Sequence, residues 1–135
     1  LAPRSARLVG VESSPSACDD FAVNLNDFET VELYQGRAEE ILPRLDLRPD
    51  VVIADPPRAG LAPGVVDALV KMAPKRLVYV SCDPATLARD VRRLLAAGYA
   101  LDQVQPIDMF PQTFHIESVA LLTHPSGQLP TPIPS

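Results

Sequence analysis

The chain has no tryptophan and only two cysteines, two histidines and two methionines among its 135 residues, and aromatic side chains make up 5% of it. Each shortage excludes something. With so few rings, the sequence offers no stacking platform for single-stranded nucleic acid. Two cysteines do not make a disulfide framework, and they point to a reducing cytoplasm. Paired cysteine or histidine spacings are missing too, so no metal is expected, and His124 lies beside a proline-rich tail. No apolar run approaches the roughly 18 residues that a membrane span needs, and the start of the chain does not read as a signal peptide. Basic residues are outnumbered: 12 Lys and Arg against 17 Asp and Glu give a net charge of −5 and a pI near 4.9. Strong binding of nucleic acid by this chain alone is therefore not expected, because phosphate contacts need clustered Lys and Arg. An RNA partner would be held mainly from elsewhere.

What is present is an ordinary globular composition, 47% hydrophobic and 21% charged, and enough chain for one domain with a real core. Strand and helix signals alternate. Residues 8–12 form a short apolar strand ending on an acid, and Ser14-Pro15 opens a helix to about residue 26 with Cys18, Phe21, Ala22 and Leu25 on one face. Residues 31–34 are the next strand, and Gly36 turns into a helix over 37–45. Residues 51–54 are a fully apolar strand that Asp55-Pro56-Pro57 breaks sharply. A helix over 64–72, a strand over 77–80, a helix over 85–97 and two strands over 99–107 and 116–122 complete a domain of residues 1–124. The tail 125–135 carries Pro125, Pro130, Pro132 and Pro134 without periodicity and is expected to be disordered.

Apolar strands alternating with helices imply an α/β fold with a mostly parallel sheet covered on both faces. Ligands in such sheets bind outside the carboxyl ends of the strands. Glu12, Asp55 and Cys82 end three apolar strands and are expected on one rim. Cys82 precedes Asp83, a good N-cap, and Pro84, which suits a first helical turn. The helix dipole and free amides there favour a thiolate, the nucleophilic form; the alternative is a small hydrophobe ending a core strand. Glu12 stands where nucleotide-binding folds use an acid for ribose hydroxyls, or is an exposed strand-end acid. The glycine-rich loop that lies roughly 20 residues upstream of such an acid has no room here, since only eleven residues precede Glu12. Asp55-Pro56-Pro57-Arg58 is either a rigid carbonyl-and-carboxylate turn that orients a planar base or cofactor, or a stiff capped loop. Arg58 meets a phosphate or solvent. His115 and Glu117 alternate with Ile116 and share a strand face, Glu117 being either a general base or an edge-strand acid. Arg89, Arg92 and Arg93 read mainly as a solvated helix face, with Arg89 the one that alternatively supports the site.

Three stretches carry a family resemblance: residues 55–61 (DPPRAGL), 79–90 (YVSCDPATLARD) and 109–117 (MFPQTFHIE). In that order and spacing they resemble the signatures of the RNA 5-methyluridine methyltransferases, and the resemblance covers about residues 7–123. It implies a Rossmann-like class I methyltransferase sheet with a C-terminal antiparallel strand, and S-adenosylmethionine as cofactor. It also implies a uridine of ribosomal or transfer RNA as substrate. Cys82 then matches the cysteine that adds to uracil carbon 6, and Glu117 the base that removes the carbon-5 proton. Glu12 matches the acid holding the cofactor ribose. Asp55 matches a residue where cofactor and base meet, with Pro56, Arg58 and His115 on the substrate side. The family's N-terminal RNA-binding barrel, frequent iron–sulfur cluster, first strand and glycine-rich loop have no counterpart in this chain. That first strand lies centrally, between the strands ending at Glu12 and Asp55, so two inner edges are expected to be unpaired. The chain then reads as the C-terminal part of a larger enzyme, inactive by itself. Two alternatives stay open. One is a methyltransferase of exocyclic amines, which uses an Asp/Asn-Pro-Pro-aromatic turn and no cysteine; the other is an idle fragment that only binds a partner.

Overall fold

The computed structural model describes residues 1–108 and 117–125, so His115, the rest of 109–116 and the tail from 126 lie outside the described residues. The chain forms two compact units, Leu1–Leu45 and Asp46–Ser135. In the first, β1 (Leu8–Glu12) pairs in parallel with β2 (Val31–Gln35), from Leu8 opposite Val31 to Glu12 opposite Gln35. Helix α1 (Pro15–Leu25) joins them, with Ser14 as N-cap and proline in its first turn. The Ser14 hydroxyl accepts from the Ala17 amide at 3.5 Å, an ordinary start for a helix whose first amides lack internal partners. Cys18 is buried and Phe21 and Leu25 are half-buried, but Ala22 is exposed, so the covered stripe is rotated toward Phe21. A Cβ on Gly10 would stand 2.9 Å from the Phe21 ring, so glycine lets that ring lie against the strand. The helix expected over 37–45 is broken: α2 (Ala38–Ile41) is one turn and gives way to a 3₁₀ turn over Leu42–Arg44. Pro43 has no amide to donate and its ring crowds the preceding turn.

The second unit holds a four-stranded sheet in the order β3-β4-β6-β5. Its strands are β3 (Val51–Ala54), β4 (Arg76–Ser81), β5 (Ala100–Ile107) and β6 (Glu117–Thr123), with α3 (Pro63–Met72) after β3 and α4 (Pro84–Ala96) after β4. β3 and β4 run parallel, while β6 runs antiparallel to both β4 and β5. This is the α/β sheet with an antiparallel C-terminal strand that the sequence implies. Burial alternates along β4 and β6. Leu77, Tyr79, Ala120 and Leu122 are fully buried, and the core they belong to includes Val65, Val66 and Leu69 of α3 and Leu87, Val91 and Leu94 of α4. Among the described residues the opposite face is less well covered. Val51 and Ile53 are 49% and 51% exposed, and Val78, Val80, Val119 and Leu121, in register with them, are only half-buried. Among the described residues of this unit, the two faces are thus unequally covered. Both crossovers, β3-α3-β4 and the one through α4, put their helices on the same side, as right-handed connections in one direction do. Among the described residues β1 pairs only with β2, and β3 only with β4, so each keeps one open edge, as the resemblance implies.

Candidate active site

The carboxyl end of β4 runs straight into Ser81-Cys82-Asp83. Ser81 clasps the turn: its hydroxyl donates to the Asp83 carbonyl at 2.9 Å and accepts from the Asp83 amide at 3.1 Å. Cys82, between them, is half-buried. Asp83 is the N-cap of α4, and its Oδ1 accepts from the amides of Ala85 at 2.9 Å and Thr86 at 3.0 Å. Those bonds, the Thr86 amide foremost, hold its carboxyl below the usual range, and Arg58 adds to them. The expectation that free helix amides would serve the Cys82 sulfur is thereby corrected, for the Asp83 carboxylate occupies the amides of Ala85 and Thr86. Ser81 is equally part of the turn, and its hydroxyl after an apolar strand was the signal for it.

Register supplies the next residue. β4 and β6 pair from Arg76 opposite Thr123 to Ser81 opposite Ser118; Cys82 follows Ser81 and Glu117 precedes Ser118, so both stand one residue beyond the last pair, at the same end of the ladder. An antiparallel strand begins where its neighbour ends, and this brings a carboxylate distant in sequence to the end of the sheet that carries the thiol. Glu117 opens β6 half-buried, opposite Ile107 of β5. β3 ends at the same edge: Ala54 is opposite Tyr79, so Asp55, which is exposed, follows one rung short of Ser81. Pro56 and Pro57 stiffen the chain there, and the Gly60 amide donates to the Pro57 carbonyl at 2.7 Å, closing a turn. Arg58 is 74% exposed and its Nε lies 3.5 Å from Asp83 Oδ2. It thus ties the loop after β3 to the cap beside Cys82, a role between the phosphate contact and the solvated charge that the sequence left open.

Glu12 belongs to the first unit. Its Oε1 accepts from the Ser14 amide at 2.7 Å and its carbonyl accepts from the Gly36 amide at 2.8 Å. Oε2 has no hydrogen-bond partner among the described residues. A half-buried carboxylate with one oxygen tied to backbone and one free suits a pair of ribose hydroxyls. The second cysteine serves the frame: the Cys18 thiol donates to the Glu12 carbonyl at 3.5 Å, and burial pushes it up, with Glu12 and Asp19 adding to the effect. Among the described residues no cluster of His, Cys, Asp or Glu could hold a metal ion, and no helix is long and apolar enough to cross a membrane.

Sequence reasoning passed over two residues behind this edge, Asp90 and Tyr79, both fully buried. The signals were there. Asp90 falls on the stripe Leu87, Val91, Leu94 of α4, where an apolar residue belongs, and Tyr79 puts a hydroxyl into the inner row of β4 in the middle of the strand.

A model of the tRNA (uracil-5-)-methyltransferase family matches residues 30–125, a span that holds Asp55, Cys82 and Glu117 and begins after Glu12. An uncharacterised RNA methyltransferase of Lactococcus lactis is 48% identical over 125 residues, which are 89% of this chain and 27% of that relative. One from Enterococcus faecalis is 48% identical over 128 residues, 91% of this chain and 28% of the relative. The chain thus spans little more than a quarter of the length of the curated relatives it matches. Among solved structures, the Pyrococcus abyssi tRNA (uracil-54, C5)-methyltransferase in complex with S-adenosyl-L-homocysteine is 38% identical with a TM-score of 0.76, over 91% of this chain and 30% of that one. The N-methyltransferase NodS of Bradyrhizobium japonicum, 17% identical with a TM-score of 0.76 over 93% of this chain and 70% of that one, shares the fold alone.

Proposed function

Because the chain belongs to the tRNA (uracil-5-)-methyltransferase family, we propose that it supplies the nucleophile and base of an S-adenosylmethionine-dependent enzyme methylating carbon 5 of a uridine in transfer or ribosomal RNA. The observation that carries this reading is the β4–β6 register, in which Cys82 and Glu117 directly flank the last pair, Ser81 opposite Ser118. Carbon 5 of uracil is a poor nucleophile. The Cys82 thiolate adds to carbon 6, and the electron pair displaced toward carbon 5 and the 4-oxygen makes an enolate that takes the methyl group. Glu117 removes the carbon-5 proton, and the returning pair expels the Cys82 sulfur. One hard substitution becomes several easier steps. S-adenosylmethionine, when bound, supplies an electrophilic methyl group on a sulfonium. Glu12 would hold its ribose through Oε2, and Asp55 with Pro56 would present a rigid edge to the base. Arg58 and His115 complete the substrate side in this reading.

The chain is, in the same proposal, the C-terminal part of a longer enzyme and inactive alone. The open edges of β1 and β3 and the −5 charge support this, since a further strand and an RNA-binding surface have to come from elsewhere. A free nucleophilic thiol also suits a reducing cytoplasm. The decisive experiment exposes the native gene product that carries this sequence to RNA containing 5-fluorouridine and S-adenosylmethionine. Fluorine blocks the final proton removal, so a denaturant-stable adduct at Cys82 is expected. On ordinary uridine, Glu117→Gln should accumulate the methylated adduct. Modification of an exocyclic amine by a Cys82→Ala variant would establish the amine-methylating alternative instead.

A further inference from the structure

The loop after β3 is fastened to the cysteine turn from behind as well as in front. Asp90 sits on α4, which starts directly after Cys82-Asp83, and is 0% exposed. Its Oδ2 accepts from the Leu61 amide at 2.8 Å and from the Tyr79 hydroxyl at 2.7 Å. Its Oδ1 accepts from Arg89 Nε at 3.0 Å, and Arg93 Nη1 lies 3.9 Å away. Arg89 Nη2 reaches on to the Ala59 carbonyl at 2.8 Å. One carboxylate therefore joins three segments: the end of the Asp55 loop, the strand that leads into Cys82, and the helix that leads out of it. Burial and then Asp90 push the Tyr79 phenol well up from its ordinary range, so the hydroxyl stays a donor. Gly60 has a φ of +80°, and a Cβ there would stand 2.5 Å from Asp90 Oδ2 and 2.6 Å from Arg89 Nη2. No buried side-chain polar atom among the described residues lacks a partner, so the network is complete.

A core helix position does not need this. An apolar side chain in the stripe of Leu87, Val91 and Leu94 would avoid burying a charge, and a buried ionic group is seldom a gain in stability over a well-packed apolar one. What the carboxylate adds is direction. It fixes the Asp55 loop against the Cys82 turn at a set distance, while the exposed Arg58–Asp83 pair at 3.5 Å is loose and screened by salt. We propose that Asp90, seconded by Tyr79 and Arg89, is a positioning residue that holds the Asp55-Pro56-Pro57-Arg58 loop in register with the Cys82 nucleophile. This rests on the reaction proposed above.

The test follows adduct formation on 5-fluorouridine RNA by the native gene product carrying Asp90→Asn or Tyr79→Phe. RNA KM and a thermal melt are recorded for each. Asp90→Asn keeps the shape and weakens the acceptor. Its rate constant for adduct formation is expected to fall by about tenfold or more, with RNA KM within about twofold, at a temperature where the variant is fully folded, as a displaced reacting group requires. Tyr79→Phe, which removes one bond and keeps the ring, should fall by about threefold to tenfold; it carries the test if Asp90→Asn does not fold. Rates within about twofold of wild type in the folded variants would overturn the positioning role, as would a loss that cooling restores in proportion to the folded fraction. Absence of any adduct with the wild-type protein would overturn the proposed reaction, and this role with it.

Discussion

Two turns in this molecule are written in the same grammar and end in different chemistry. In one, β1 ends at Glu12, Ser14 caps α1 and Pro15 opens it; in the other, β4 ends at Ser81, Asp83 caps α4 and Pro84 opens it. Each carries a cysteine. In the first turn Cys18 follows the cap, falls on the inner face of the helix and is buried against its own strand end. In the second Cys82 precedes the cap, stays half-buried and stands level with the start of β6. Position relative to the cap decides the outcome: beyond it a cysteine joins the hydrophobic stripe, before it a cysteine is left at the sheet edge.

The comparison breaks most sharply at the thiols themselves. Iodoacetamide is expected to modify Cys82 at least about tenfold faster than Cys18, because reactivity follows exposure and thiolate character. Peptide mapping after timed quenching reads both rates in one sample, and equal rates would erase the distinction. Cys82→Ala should abolish the fluorouridine adduct, while Cys18→Ala should leave it in place.

The glycines behind the two turns give the next effect. Gly60→Ala forces a positive φ on a side chain and drives it at an anchored carboxylate; it should lower stability by about 2–4 kcal/mol in denaturant titration. Gly10→Ala presses on the far ends of two side chains, the Phe21 ring and, less closely, Leu33 Cδ1 at 3.3 Å, which can turn aside, and the stiffer unfolded chain offsets some of the strain. A change within about 1 kcal/mol is expected. Similar losses at both positions would mean that the Asp90 network yields as readily as a ring.

The smallest effect separates the caps by pH. The Asp83 carboxyl is held below its ordinary range by the amides of Thr86 and Ala85 and by Arg58. Its folded pKa is thus lower than its unfolded value of about 3.9. The contribution is present above about pH 5 and is lost as the pH falls through 4 and below. The Ser14 hydroxyl has no such transition. Melting temperatures of wild type and Asp83→Ser should differ at neutral pH and converge toward pH 3, whereas a constant gap would refute the assignment.

Much of the architecture was legible because its signals are local. Ser14-Pro15, Asp83-Pro84 and the apolar runs 8–12, 51–54 and 77–80 placed elements to within about a residue. Pro43 was equally legible as a helix breaker and was passed over. The exposure of Val51 and Ile53 was not local information, for an apolar strand does not declare what lies against it. In the same way, the arrival of Cys82 and Glu117 at one end of the sheet depends on a strand inserting between two others, and that register is visible only in the folded sheet. Asp90 was readable as an acid out of place, but its partners, a loop amide and a strand hydroxyl, come from segments far apart in sequence.

The position of β6 has a temporal meaning. It is the last strand in the chain, yet it pairs with both β4 and β5, and among the described residues β5 has no other neighbour. During synthesis Cys82 emerges first, and the sheet edge it belongs to waits, with β5 unzipped, until residues 117–123 leave the ribosome and thread between the two. Pairings of such sequence separation are slow to close. The same event that completes the sheet brings Glu117 to the end of the ladder that carries Cys82, so an unfinished chain holds the thiol without that carboxylate, and the proposed pair of nucleophile and base exists only once the last strand is in place.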